Sequence, residues 1–345
     1  MKTAIKIIKV LTLIVLVLSV LVVMTDYDPD EIESLNITQT TEEILDASGS
    51  IRLAIYNVGF GGLDANQDFF MDGGTGSGAS SQEEIKSNLE EMTSFLKSTD
   101  SHIYMIQEVD INSKRSSGLN EREVIGAELP EYSQTSATYY KVPFVPLPLS
   151  RPLGKIHMDL LTLSKTQVES ANRYTLPNID AIPYKYFYLD RCMLENTIPL
   201  SNGKNLIVLN VHLSAYDSNG TVKKEQLEWI ERYIENADLE NNYYVFGGDW
   251  NLIMTDTSKE DISNERDYWV EKPKDFKAGG FKWIYDDSVN TVRELDAPYE
   301  KGKTFERVID GYLVSPNIEV LNVETVDMAF KYSDHNPVLL EIRVK

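Results

Sequence analysis

The sequence is poor in cysteine, in positive charge and in internal repetition. Cys192 is the single cysteine, which excludes a disulfide framework and a cysteine zinc cluster. A lone thiol of this kind reads as a buried core group. Lysine and arginine number 33 against 54 aspartates and glutamates, a formal net charge of −21. That balance excludes passive nucleic-acid binding through a broad basic face. It leaves room for an enzyme that meets phosphate through a divalent cation. No self-similarity at solenoid periods is present. The glycine- and serine-rich stretch Asp72 to Ser81 lacks the Lys-Ser/Thr ending of a phosphate-cradling loop, and reads as a mobile loop.

What is present divides into three parts. In residues 1–25, Lys2, Lys6 and Lys9 precede the uncharged run Val10 to Met24. The pattern is that of a signal peptide or, lacking a small-x-small cleavage site, a membrane signal anchor with its basic end inside. Residues 26–49 form an acidic linker: eight carboxylates and no lysine or arginine fall within 26–46, the composition of a solvated stalk. Residues 50–345 read as one domain with ample apolar content for a core.

Within that domain, apolar runs repeatedly stop at polar groups. Ile51, Leu53 and Ile55 alternate and end at Asn57-Val58-Gly59, a strand entering a turn. Ser81 and Glu84 form a capping box, and Ile85, Leu89, Met92 and Leu96 follow at helical spacing. Ile103 to Ile106 run into Gln107-Glu108, where a carboxylate closing a buried strand requires a cation or donor partner. Four prolines in residues 139–156 exclude a helix or a central strand. The apolar loop Phe144, Val145, Leu147 and Leu149 there is expected to pack on its own domain. Leu160 to Leu163 and Met193 to Leu200 read as strands. Arg191, before the second, could face a phosphate, although a structural salt bridge is the favoured role.

Leu206 to Leu213 is a buried-type strand containing His212, followed by a helix with Leu227, Ile230 and Ile234 inside. Tyr243 to Asn251 repeats the theme. Asp249 and Asn251, two apart, point the same way in extended backbone and suit a hard metal or a phosphate oxygen. Residues 255–305, with Trp269 and Trp283, look like an irregular insert. Val308 to Ser315 carries one acid, Asp310, for which an imidazolium is a good partner. The chain closes on Ser333-Asp334-His335-Asn336-Pro337 and the strand Val338 to Ile342. His102 and His157 fall outside these motifs and read as structural.

Taken together, Tyr56-Asn57, Gln107-Glu108-Val109, Asn210-Val211-His212-Leu213, Gly248-Asp249-Trp250-Asn251, Ile309-Asp310-Gly311-Tyr312 and Ser333 to Pro337 resemble the endonuclease/exonuclease/phosphatase superfamily over nearly all of residues 51–343. His212 is similar to the deoxyribonuclease I, neutral sphingomyelinase and deadenylase branch rather than to repair nucleases of the exonuclease III type. The segment Gly154 to Leu160 departs from the family pattern. The resemblance implies an α/β fold, a four-layer α/β/β/α sandwich of two mostly antiparallel sheets. It implies that Asn57 and Glu108 hold Mg2+ (alternatively Mn2+ or Ca2+), with Asp334 assisting. His335 is then general base or phosphate contact, oriented by Asp310. Asp249 and Asn251 position water and phosphate, or a second metal, and His212 contacts the phosphate or protonates the leaving oxygen.

The expected function is Mg2+-dependent hydrolysis of a phosphodiester or phosphomonoester, with nucleic acid, phospholipid or a small phosphoester as substrate and no obligate protein partner. The domain would be membrane-anchored or secreted, outside the cytoplasm. Phospholipid phosphodiesterase and non-catalytic tethered binding module are the competing readings.

Overall fold

The computed structural model describes residues 2–79, 81–215, 217, 220–255, 270–273, 276 and 279–345. The two-residue alternation builds two facing sheets. The first runs β16 (Ile318–Thr325), β17 (Val338–Val344), β2 (Ile51–Asn57), β3 (Ile103–Asp110), β5 (Gly154–Ser164) and β4 (Ser133–Val145). The second runs β1 (Ile32–Ser34), β6 (Ser170–Thr175), β7 (Cys192–Pro199), β8 (Asn205–His212), β9 (Asn242–Asp249), β15 (Asp310–Val314) and β12 (Lys282–Ile284). Two short ribbons, β10 (Leu252–Ile253) with β11 (Val270–Glu271) and β13 (Val292–Arg293) with β14 (Glu306–Arg307), lie outside them. Each large sheet is antiparallel except for one pair, β2 beside β3 and β8 beside β9.

Every second side chain faces the partner sheet. Leu53, Ile55 and Met105 meet Val208, Val245 and Tyr312 in the central layer. The alternate positions face outward onto helices. Ala54, Tyr56 and Tyr104 pack on the Ile85, Leu89, Met92 and Leu96 stripe of α2 (Gln82–Thr99). Leu209, Val211 and Phe246 pack on Leu227, Ile230 and Ile234 of α4 (Thr221–Glu235). Each such buried side chain contributes about 1.5–3 kcal/mol before chain entropy is subtracted. A parallel pair cannot be closed by a hairpin, and α2 and α4 are the two crossovers that close them. The Ser81 side chain accepts from the Glu84 amide and starts α2, as the capping motif indicates. The result is the expected four-layer sandwich, with the short helix α3 (Glu121–Glu128) beside α2. Cys192 is fully buried, and burial pushes its thiol up to about 12.

Four local expectations are corrected. Residues 26–49 are not a free stalk. Ile32–Ser34 pairs with β6, Thr38 bridges Gln134, and Leu45 enters the central core at 2% exposure. The acidic composition hid two apolar anchors, Leu35 and Leu45, spaced along an extended chain. The 72–81 stretch is held where it is described: the Asp68 carboxylate accepts from the Thr75 and Gly76 amides at 2.9 and 2.6 Å. The insert is not wholly irregular, since Trp283 sits in β12 and meets Trp250 edge-on at 4.6 Å; Trp269 lies outside the described residues. The apolar stretch at the end of β4 and beyond packs down only at Val145; Phe144, Leu147 and Leu149 are exposed. The proline argument holds, because β4, which carries Pro143, is an edge strand.

Ahead of the domain, α1 (Lys2–Met24) is a helix long and apolar enough to cross a membrane, with a mean hydropathy of 3.0 and no contact that buries it.

If Leu45 anchors the segment, Leu45→Ala lowers unfolding free energy by about 2–3 kcal/mol in a denaturant titration. A solvated stalk would give no change.

Candidate functional site

Both parallel pairs end on the same side of the sandwich, and their carboxyl ends bring the site together. Asn57 ends β2 and Glu108 lies near the end of β3; His212 and Asp249 end β8 and β9 in register with each other. Such strand ends, outside the sheet hydrogen bonding, are where open α/β sheets place reactive groups. Two backbone distortions aim the side chains. Pairing of β3 with β5 shifts register between Ile106 and Val109, and Glu108 there takes a left-handed φ of +61°. Asn251 takes φ +50° just beyond β9. Non-glycine residues hold this conformation only when their surroundings impose it. Gly248 is required where it stands: its φ is +146°, and a Cβ there would lie 2.0 Å from the Val211 carbonyl oxygen.

Asp249 is the hub. Its Oδ2 lies 3.1 Å from Asn57 Nδ2, 3.3 Å from His212 Nε2 and 3.7 Å from His335 Nε2. Its Oδ1 accepts the Asn251 amide at 2.8 Å. Asn57 Nδ2 also faces Glu108 Oε1 at 3.3 Å, while Asn57 Oδ1 accepts from the Gly59 amide. Asp310 Oδ2 holds His335 Nδ1 at 2.9 Å. Thr291 Oγ1 in turn accepts the Ile309 and Asp310 amides. Asn251 Nδ2 donates to the Leu213 carbonyl. Asp334 lies on the same cavity wall, close over Gly59. All eight motif residues therefore meet in one cleft.

The tautomers follow from the hydrogen bonds. The Tyr139 hydroxyl oxygen accepts the Glu108 amide at 3.2 Å and lies 3.1 Å from His212 Nδ1. Its proton is thus directed to Nδ1, which leaves the His212 proton on Nε2, toward Asp249. Burial, with Arg191 and His335 nearby, keeps His212 neutral, well below its usual range. His335 is the opposite case. Burial would depress it, but Asp310, Asp334 and Asp249 overcome that and raise it to about 10. Burial raises Glu108, opposed by Arg115, and burial with Asp310 raises Asp249.

Arg191 is corrected. Among the described residues it makes no salt bridge. Its guanidinium lies 5.5 Å from the Tyr139 ring centroid, NH1 donates to the His212 carbonyl, and Nε has no partner. It does line the cavity. His102 is structural, its Nδ1 accepting the Arg52 amide, and His157 is held between Thr138 and Asp159. Sequence reasoning missed Tyr139 and Arg115. The latter is clamped by both Asp110 oxygens at 2.9 and 3.0 Å and lies 3.9 Å over the Phe60 ring.

The donor set fits a divalent cation. Glu108 and Asp334 present hard carboxylate oxygens on the cavity wall, while Asp249, Asp310 and His335, grouped within 4.8 Å, are engaged in the ion pair between Asp310 and His335 and the Asp249 hydrogen bonds. The Glu108 side chain keeps 20% exposure, enough to reach a cleft ion. Asn57 fits only after its amide turns, since its oxygen is now occupied by Gly59. The cavity holds about 550 Å3, and away from the polar floor its walls are apolar and aromatic, including Phe60, Phe69, Tyr140, Leu153 and Phe187.

No family model and no curated protein sequence matches the chain. Solved structures do. An endonuclease/exonuclease/phosphatase protein from Beutenbergia cavernae DSM 12333 superposes with a TM-score of 0.60 at 14% identity, covering 86% of this chain and 72% of that one. One from Bacteroides vulgatus gives 0.52 at 18% identity, covering 86% and 100%. TDP2 from D. rerio, complexed with a single-strand DNA product, gives 0.52 at 12% identity, covering 85% and 99%. The chain has the endonuclease/exonuclease/phosphatase fold.

The charge on His335 is a testable consequence. Stabilisation from its raised pKa is complete below the ordinary value of 6.5 and is lost as pH rises through about 10. In ring-proton NMR, with only four histidines to assign, Asp310→Asn should move the His335 titration down toward 6.5. An unshifted titration would refute the role given to Asp310.

Proposed function

We propose that this protein hydrolyses phosphoester bonds, as a phosphodiesterase or phosphomonoesterase, with a divalent cation held by Glu108, Asp334 and a reoriented Asn57. The observation that carries this reading is the Asp249 carboxylate, set among two imidazoles and two carboxamides on the floor of one cleft. Mg2+ suits these oxygens, with Mn2+ or Ca2+ as alternatives; bound there, such an ion offsets charge on the phosphate oxygens.

The protein groups divide the remaining work. Asp249, its pKa raised, accepts the proton of an attacking water, and the Asn251 backbone amide and Asn57 fix its orientation. His335 enters as a charged imidazolium. That suits a donor to phosphate or to the departing oxygen better than a general base, so of the two roles the sequence left open the phosphate contact is favoured. His212, neutral with its proton on Nε2, donates a second hydrogen bond to the phosphate. Arg191 adds positive charge behind it. Held together, these groups pre-orient water and ester.

The TDP2 structure supports nucleic acid as one substrate class. The net charge of −21 and the apolar cleft walls favour an ester with an apolar part over a long polyanion. Lys2, Lys6 and Lys9, in the first turns of α1, support an orientation with its start on the cytoplasmic side and the domain outside.

The test is Mg2+-dependent hydrolysis of bis(p-nitrophenyl) phosphate by the full chain in detergent. Glu108→Gln should lower the rate about 100-fold or more with the melting temperature preserved. Unchanged activity in a folded variant would show that the hydrolysis does not arise at this site, and no activity in the parent chain would leave the tethered binding module. Tyr139→Phe removes the hydroxyl that sets the His212 tautomer and should cost about tenfold in kcat with little change in KM.

A further inference from the structure

We infer that the mouth of the cleft rests on a lipid bilayer, the one that holds α1, and that the ester it receives is the headgroup phosphoester of a lipid there. Contact with the bilayer stands on geometry and composition; the choice of substrate rests in addition on the hydrolase reading.

Two loops form the rim. One joins β4 to β5 and the other joins β6 to β7, and both lie at the end of the sandwich where Asn57, Glu108, His212 and Asp249 gather. Their tips expose large apolar side chains to water: Leu149 at 84%, Ile182 at 72%, Tyr184 at 68% and Leu147 near half, with Phe144 at the end of β4 also near half. Contiguous apolar exposure of this kind marks an interaction surface. The apolar lining continues inward without a break, since Val145, Leu147, Tyr184 and Phe187 also line the cavity that reaches Asp249.

Charge points to the same occupant. Residues 141–155 contain Lys141, Arg151 and Lys155 and no acid, whereas the β6–β7 loop balances Lys185 and Arg191 against Asp180 and Asp190. In a chain with 21 excess negative charges, the β4–β5 rim loop is locally cationic. That combination of apolar tips and flanking cations fits an anionic lipid surface.

The path of the chain supplies the third observation. β1 runs antiparallel to β6, Ile32 opposite Tyr174, so the residues before Ile32 continue past Thr175 toward the cleft. Thr175 fixes them there, its amide donating to the Glu31 carbonyl and its hydroxyl to the Asp30 carbonyl. Asp26 Oδ2 lies 3.8 Å from Lys185 Nζ, and Lys141 Nζ stands 5.3 Å over the Tyr27 ring. The apolar helix α1 ends at Met24, two residues before Asp26. It therefore leaves the domain beside both rim loops, which are presented at the surface of whatever membrane it occupies.

The full chain placed in nanodiscs of phosphatidylcholine, phosphatidylglycerol and phosphatidylinositol tests both halves. Cys192 is fully buried, so a bimane label goes to an introduced cysteine. Leu149→Cys and Ile182→Cys should be quenched by doxyl-labelled lipid, and Asn202→Cys, on the β7–β8 turn at the opposite end, should not. Equal quenching at all three sites overturns bilayer contact. Concentration-dependent self-quenching without doxyl quenching also overturns it and replaces the bilayer with a second copy of the chain. For the substrate, Leu149→Asp/Ile182→Asp should leave Mg2+-dependent hydrolysis of bis(p-nitrophenyl) phosphate unchanged. The same variant should lower headgroup release from the disc lipids at least about tenfold. Hydrolysis of the soluble ester by the parent chain without any lipid turnover, or lipid turnover equal in parent and variant, overturns the lipid assignment. Failure of the parent chain on the soluble ester overturns the hydrolase reading and the substrate with it, while quenching still decides the contact.

Discussion

Crowded negative charge is the constraint from which the rest of the site follows. Glu108, Asp249 and Asp334 line one cleft with Asp310 behind His335, and burial disfavours the charged form of a carboxylate by several kcal/mol when it has no partner. The chain meets this in several ways. Asn57 turns its amide protons toward two of the acids. His335 takes up a proton and keeps it. Arg115, locked by Asp110, stands near Glu108 and opposes the rise in its pKa. These responses balance only part of the charge, and the remainder is what makes the pocket receptive to a divalent cation.

The sheets are built so that this crowding can be held still. Each contributes one parallel pair with its own crossover helix, and the two pairs meet at their carboxyl ends. Beneath the site, Gln107 Nε2 of the first sheet donates to Asn210 Oδ1 of the second at 2.7 Å. Asn210 Nδ2 reaches back to the Ile106 and Leu161 carbonyls at 3.2 and 3.0 Å. Apolar packing alone would let the sheets slide by small amounts. A directional bond between two buried carboxamides fixes their register one residue below Glu108 and two below His212.

Much of this was legible because each chemical residue closes or interrupts an apolar run. Asn57, Glu108, His212, Asp249 and Asp310 stand out for that reason, and the order of their motifs carried the sandwich as well. What stayed hidden depends on contacts between distant elements. Tyr139 opens a proline-rich stretch in which no strand was legible, and its role exists only because Glu108 and His212 arrive on either side. Arg115 comes from a loop with no period. The charge on His335 is set by three carboxylates that converge from different segments, so the sequence left base and phosphate contact open. Leu45 was masked by acidic neighbours, since composition averages over a segment whereas docking needs only one well-placed side chain.

The three-residue strand Ile32–Ser34 has a consequence for how the chain can be processed. It covers the outer side of β6, whose backbone would otherwise present open amides and carbonyls to a neighbouring molecule. A protease that severed the chain after Ser34 would strip away that cover and invite strand exchange between copies. Release of an intact domain therefore requires the cut to fall in the few residues between Met24 and Ile32, which gives the chain a narrow permitted window for shedding.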